Sequence, residues 1–500
     1  MSIYAPRPDA DQLLLDSEQV YTDYVETVSA DPEYPKLHLA PPVGRLNDPN
    51  GLIYDNGVYH AFYQYSPLHP TRAVFWRHAV STDLTNWSDQ KTAIAPISWY
   101  DKSGCYSGSG FVAPDGSYEF FYTGNVKDEM NNRSAYQSMF TSNDKGKTFE
   151  REENNPLIFD QPEGYTAHYR DPHLVERNGI YYAFLGAQRT NNTGAVVCYS
   201  SSDRREWTFE GEIEFSDTSI GDMSYMIECP IFLTTTDTAT GEEKDIFIFC
   251  PQGMQPDGDK YNNIYQCGYV VGKLDGLKFD IEQPFTEIDA GFEFYAPQTV
   301  HAADEEHDAP VLMGWFGNAE EDDHPSWENR WVHMLTYPRE LELHNGKLFQ
   351  RPVKQLDEVL PLQAAQMSED GMLADVRGRR QFRLKGTLNV GEHNVQLGLR
   401  DEKGEPVVMT FGQDFAALDR GFARYQAGGP IRRRMLTPSN SRQFEILFDG
   451  SALEMFVDAG AEVFSARIYL DGAPQAVFVR PPEQGGVPSV ENLSVAYLED

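Results

Sequence analysis

Between Leu37 and Leu343 hydrophobic and polar residues alternate in short runs broken by Gly, Asn and Asp, the pattern of successive β-hairpins. Gly51-Leu52-Ile53-Tyr54 is followed by a turn at Asp55-Asn56-Gly57 and by Val58 to Tyr63. The unit recurs as Ser109 to Val112, turn Pro114-Asp115-Gly116-Ser117, then Tyr118 to Tyr122, and again as His173 to Val175, turn Arg177-Asn178-Gly179, then Ile180 to Leu185. A fourth copy joins Ile231-Phe232-Leu233 to Ile246 through Phe249 across a turn lengthened by Thr234 to Asp245. A fifth joins Thr299-Val300-His301 to Val311 through Trp315. A period of roughly 60 residues is long for a solenoid and suits a propeller blade of four strands. A second mark keeps the period: Asp83 precedes Trp87, Asp144 precedes Phe149, Asp203 precedes Trp207 and Asp275 precedes Phe279. Each is an Asp-capped turn leading to a core aromatic, and together they predict the blade boundaries.

Outside this region the pattern changes. From Asp9 to Val28 a helical period places Leu13, Leu14, Val20, Tyr21 and Val25 on one face. After Arg351-Pro352 the chain turns polar, and a second alternating block runs from Gln381 to Leu498. The expected fold is therefore all-β: an N-terminal helical segment over residues 1–34, a five-bladed β-propeller over 35–350, a linker over 351–372 and a β-sandwich over 373–500.

Composition narrows the partners. The 500 residues carry 77 acidic and 41 basic side chains, a formal charge of −36, which disfavours nucleic acid and favours neutral partners. Asp9, Asp11, Asp16 and Glu18 interrupt every apolar run near the start, and no stretch is long enough to span a membrane, so a cytoplasmic protein is expected. Cys105, Cys198, Cys229, Cys250 and Cys267 lack C-x-x-C spacing and are read as reduced thiols. The twelve histidines show no metal-ligand spacing, so no metal or cofactor is expected; His168 and His173 are read as structural or supporting.

Three acidic motifs follow the repeat: Asn47-Asp48-Pro49-Asn50-Gly51, Tyr169-Arg170-Asp171-Pro172 and Met226-Ile227-Glu228-Cys229-Pro230. Singly, each reads as turn chemistry, an ion pair or a strand-end carboxylate. In the repeat frame Asp48, Asp171 and Glu228 are expected at equivalent positions of blades one, three and four, whose inner strands surround one channel. A clustered set of carboxylates there suits glycoside cleavage, in which one carboxylate attacks the anomeric carbon and an acid protonates the departing oxygen.

These motifs, with Phe62-Tyr63-Gln64-Tyr65, Tyr106-Ser107-Gly108-Ser109, Thr336 through Leu341 and Phe448 through Val457, resemble the marker motifs of glycoside hydrolase family 32, the β-fructofuranosidases, invertases, inulinases and levanases. The resemblance runs from about Pro35 into the C-terminal block and departs at Arg77, where glycine is usual. It implies a retaining hydrolase of terminal β-D-fructofuranosides, with Asp48 as nucleophile, Glu228 as acid/base and Asp171 as transition-state stabiliser. It further implies a fructose pocket lined by Asn47, Gln64, Trp76, Tyr106, Ser107, Arg170 and Trp315. Arg170 is expected to keep Asp171 anionic, and Trp327 to stand at the rim. Sucrose and short fructo-oligosaccharides are the expected substrates. Sucrose 6-phosphate is the alternative, with Arg72 or Arg77 as its possible phosphate partners. A related five-bladed family acting on arabinosides and xylosides, and a carbohydrate-binding protein without catalysis, are the competing readings.

Overall fold

The computed structural model describes residues 4–222, 224–302, 309–391, 393–480 and 489–499. Five sheets, antiparallel but for short parallel pairings of His301–Ala302 and Trp331–Val332 on the first and Glu214–Phe215 on the fourth, surround the inner strands Gly44–Asp55, Gly104–Val112, Tyr165–Arg177, Met226–Thr236 and Tyr295–Thr299. The inner strands contact one another in a closed ring, the first meeting the last. The hairpin turns fall where the Asn-Gly and Asp-Gly pairs stand, with Asn56 and Asn178 in the left-handed region beside Gly57 and Gly179. The Asp turns close as expected, Asp83 accepting from the backbone of Thr85 and Asn86 and Asp144 from that of Lys147 and Thr148. Two of their aromatics reach the preceding blade: Trp207 stacks on Phe121 at 5.2 Å and Phe149 meets Phe62 edge-on at 5.6 Å.

Every inner strand carries the same β-bulge, two residues opposing one on the neighbouring strand. The pairs are Asn47-Asp48 against Gln64, Tyr106-Ser107 against Thr123, Asp171-Pro172 against Leu185, Cys229-Pro230 against Phe249, and Ala296-Pro297 against Gly314. Proline is tolerated there because a bulged residue need not donate to the ladder. In blade two Gly108 follows the bulge, where a Cβ would meet the Phe121 carbonyl oxygen at 1.9 Å. The bulges correct the expectation of equivalent positions: Glu228 is the last paired residue before its bulge, Asp171 the first bulged residue and Asp48 the second.

Two six-stranded sheets form the C-terminal sandwich around a core including Phe382, Leu397, Phe448 and Phe464. Gln363–Ala364, which the sequence places in a linker, already pairs with Val490–Tyr497, so the sandwich begins within that stretch. The propeller meets the sandwich through an apolar cluster that includes Leu37, Tyr337, Leu360 and Leu447, and also through buried charge. Arg339 donates to Glu454 at 2.7 and 3.0 Å and to Asp289 at 3.0 Å, and His38 lies between Asp449 at 2.8 Å and Glu454 at 3.0 Å. The interface is therefore both apolar and ionic.

The N-terminal helix Ala10–Ser29 lies on the propeller, burying Leu13 and Val28 and packing Val20, Tyr21, Tyr24 and Val25 on its core. Leu14 is exposed, and Tyr24 takes the place expected for it. Among the described residues no helix is long and apolar enough to cross a membrane.

Candidate active site

The axis of the propeller opens into a cavity of about 540 Å³ lined by all three acids and by Arg45, Asn47, Gln64, Tyr106, Arg170, Gln252, Tyr295 and Trp315, among others. A larger cavity of about 750 Å³, holding His60, His78 and Lys145, contains none of the acids.

Asp48 is held by neutral donors. Its Oδ1 accepts from Asn47 Nδ2 at 3.0 Å, and its Oδ2 from Gln64 Nε2 at 3.2 Å and from the Ser107 hydroxyl. Gln64 ties this shell together, donating also to Ser107 and accepting from Asn47 at 2.7 Å. Burial pushes the Asp48 carboxyl above its ordinary value, with Ser107 and Asn47 opposing and the charge of Glu228 adding to the rise. The donors from Ser107 and Asn47 favour the ionised form and oppose the effect of burial.

Glu228 is held by a cation and two neutral donors. Arg170 Nε and Nη2 both bond Oε1, at 2.8 and 2.6 Å, while Gln252 Nε2 and the Tyr295 hydroxyl bond Oε2 at 2.5 and 2.7 Å. The fork of Arg170 therefore bonds Glu228, and from 4.0 Å its charge also favours the ionised form of Asp171. His168 supports Arg170 at 3.1 Å, whereas His173 bonds the Phe232 carbonyl oxygen and is structural.

Asp171 is the deepest of the three. Its backbone sits at φ 64°, a conformation uncommon for a non-glycine residue; its N–H donates to Thr123 Oγ1, and Oδ2 accepts the Cys229 N–H, both at 3.0 Å. Burial pushes its carboxyl well up; Arg170 opposes this, and Glu228 and Asp48 reinforce it. The thiol of Cys229, which follows Glu228 in the third acidic motif, lies 3.6 Å from Asp171 and 3.9 Å from Asp48. Burial pushes that thiol far above its ordinary value, so it stands as a neutral spacer between two carboxylates.

The remaining expected residues divide. Asn47, Gln64, Tyr106, Arg170 and Trp315 line the cavity, and Ser107 lies behind Asp48. Trp76 does not: it is fully buried among Phe62, Phe120, Tyr122 and Phe140, and its Nε1 donates to the Tyr106 carbonyl at 3.0 Å. It fixes the backbone of Tyr106 from behind. Trp327 packs edge-on against His69 at 4.7 Å and is not part of the cavity lining. Trp315 is covered by Arg45 at 5.0 Å, and its buried indole N–H has no hydrogen-bond partner among the described residues.

Arg77 is excluded as a phosphate partner, since it is buried against Asp89 with its guanidinium over Tyr21. Arg72 does reach the cavity, paired at 2.9 Å with Asp322, which also accepts from Arg45 at 2.7 Å and lies 3.0 Å from His333. Other basic residues unmarked by the motifs, Arg7, Lys102, Lys127 and Arg133, line the same cavity. Among the described residues no cluster of His, Cys, Asp or Glu could hold a metal ion.

Residues 38–352 match the N-terminal domain of glycosyl hydrolases family 32. The chain belongs to that family. It is 35% identical over 465 residues to a sucrose-6-phosphate hydrolase of Bacillus subtilis, covering 88% of this chain and 90% of the relative, and 35% identical over 465 residues to that of Klebsiella pneumoniae, covering 90% and 91%. Among solved structures, a sucrose-6-phosphate hydrolase from Lactobacillus gasseri superposes with a TM-score of 0.85 at 28% identity over 96% of both chains. A Bombyx mori β-fructofuranosidase does so with 0.80 at 28% identity over 97% of both. The family assignment makes this propeller-plus-sandwich protein a glycoside hydrolase.

Proposed function

We propose that the protein hydrolyses the terminal β-D-fructofuranoside of sucrose and short related sugars with retention of configuration. The observation that carries this reading is the contrast between two carboxylates in one cavity, Asp48 caged by neutral donors and Glu228 held by Arg170, Gln252 and Tyr295. Asp48 attacks the anomeric carbon as the glycosidic C–O bond breaks, and Glu228 gives its proton to the departing oxygen. Water then donates a proton back to Glu228 and displaces Asp48, releasing fructose. Asp171, on the inner strand next to that of Glu228, bonds fructose hydroxyls and stabilises the charge developing on the ring. Fructose release from sucrose by the wild type, abolished by Asp48→Ala, tests the reading. Activity on arabinosides or xylosides instead, or sugar binding without turnover, contradicts it.

A second reading, sucrose 6-phosphate as the preferred substrate, is favoured by Arg7, Arg72, Lys102, Lys127 and Arg133 lining the cavity. In a chain of net charge −36 these cations remove the electrostatic objection to a phosphorylated sugar, and two sucrose-6-phosphate hydrolases are among the 35% identical relatives. The ratio of kcat/KM for sucrose 6-phosphate and sucrose decides between the readings.

A further inference from the structure

The N-terminal arm lies outside the family match, yet it reaches the cavity. Tyr4 sits edge-on against Trp99 at 4.9 Å, the Arg7 N–H donates to the Ile97 carbonyl at 3.0 Å, and Arg7 Nη1 donates to the Lys102 carbonyl at 3.0 Å. Asp9 takes Arg7 Nε at 2.8 Å and Nη2 at 3.2 Å, which orients the guanidinium and leaves N–H groups of both Nη atoms unused. The loop that receives the arm is tied in turn to the hairpin beyond it. The Ser103 N–H donates to the Asn125 carbonyl at 3.0 Å, and the Lys127 N–H to Ser103 Oγ at 2.9 Å. Lys127 is paired across that hairpin with Arg133.

Two features of this corner are unexplained by the fold alone. Lys127 and Arg133 form no ion pair among the described residues, although carboxylates outnumber cations in the chain, and Arg133 is half-buried with its guanidinium 5.5 Å from the centre of the Tyr106 ring. Asn125 lines the cavity at 1% exposure, and neither its Oδ1 nor its Nδ2 has a partner among the described residues. A buried amide without a partner is costly, and a ligand that completes its hydrogen bonds removes that cost. Forked guanidinium donors, an ammonium and an amide N–H together suit a phosphate dianion.

Building on the second reading above, we propose that Arg7, Lys127, Arg133 and Asn125 form the subsite for the phosphate of the leaving sugar, and that the N-terminal arm sets substrate choice by supplying Arg7. The arm is then a specificity element. Its effect is exerted on the leaving group, away from the fructose whose bond is cut.

The test measures kcat/KM for sucrose 6-phosphate and sucrose on the full chain, on Arg7→Gln, Arg7→Lys and Arg133→Gln, and on Arg377→Gln, an exposed arginine of the sandwich. The proposal predicts that Arg7→Gln and Arg133→Gln each lower the ratio of the two values by at least about tenfold, the scale of one lost charge-assisted hydrogen bond. The loss is expected mainly in KM for the phosphorylated sugar, with Arg7→Lys recovering part of it and Arg377→Gln leaving the ratio unchanged. A wild type that prefers sucrose 6-phosphate while Arg7→Gln keeps that preference overturns the role of the arm and leaves the second reading standing. Equal losses on both sugars also overturn it, since that is the signature of a structural role. A wild type without preference for the phosphorylated sugar overturns both.

Discussion

Arg170 donates two N–H groups to a single oxygen of Glu228, at 2.8 and 2.6 Å, and leaves Asp171 at 4.0 Å. Oε1 is thereby saturated as an acceptor, so a proton carried by Glu228 belongs on Oε2, where the Tyr295 hydroxyl can turn to accept it. The fork matters as well as the charge. Arg170→Lys keeps one positive charge but loses the planar pair of donors, and kcat/KM is expected to fall by at least about a hundredfold, the scale of a displaced catalytic group. Steady-state kinetics on sucrose check this, and a lysine variant within a few-fold of wild type contradicts it.

The pH dependence follows from Asp171. Burial raises its carboxyl, Arg170 opposes the rise, and Glu228 and Asp48 add to it. A reaction that needs Asp171 ionised therefore has an acid limb in kcat/KM above the ordinary carboxylate range, with the rate rising as the proton leaves. Arg170→Gln removes the opposing charge and moves that limb to still higher pH by about 1–3 units. A limb that stays in place would show that another group titrates.

The tryptophans separate packing from binding. Trp76 is enclosed by aromatic rings, so Trp76→Ala is expected to cost about 3–5 kcal/mol of stability through the cavity it leaves. Trp315 lines the cavity, so Trp315→Phe, which shrinks that face, is expected to raise KM several-fold with a smaller loss of stability than Trp76→Ala. Thermal unfolding beside kinetics distinguishes the two, and the reverse pattern contradicts the placement.

Much of this architecture is legible in the chain because the turns are made by residue types with one strong preference. Asn56-Gly57 and Asn178-Gly179 accept left-handed backbone, and the Asp side chains of the outer turns cap their own loops. The three acids are legible because they stand beside prolines that mark the inner strands. Their offset within the bulge is not, since it depends on which cross-strand partner is skipped, as Gln64, Leu185 and Phe249 are. Partners brought from far along the chain leave no local signal. Asp322 meets Arg45 across 277 positions, and Arg7 meets the loop at Lys102 across 95. Trp76 misleads because an aromatic beside a pocket motif has the same one-dimensional appearance whether it faces a sugar or a core.

The seam between propeller and sandwich sets a pH window for stability. Burial opposes charge on His38, but its hydrogen bonds with Asp449 and Glu454 push it up to about 9 from its ordinary 6.5. Its contribution is therefore full below about 6.5 and is lost as pH rises through about 9. Asp449 and Glu454 are held below their ordinary values despite burial, so their contribution is lost on acidification. Melting temperature should be flat between these limits and fall on either side, and His38→Gln should weaken the alkaline fall. Truncation after Leu360 removes Glu454, Asp449 and Ser465, leaves Arg339 with only Asp289 and Gln350, and bares the apolar side of the seam at Leu37, Tyr337 and Leu360. Insoluble or unfolded protein is expected, and a soluble, active fragment contradicts the account.

The assignment of Asp48 as nucleophile is tested most directly by trapping. In Glu228→Gln the second step lacks its base, while a fructosyl fluoride supplies a leaving group that needs no proton, so the covalent enzyme should accumulate. Peptide mass spectrometry is expected to find one fructosyl unit on Asp48. A fructosyl unit on Asp171, or turnover that releases inverted fructose with no adduct, would contradict it.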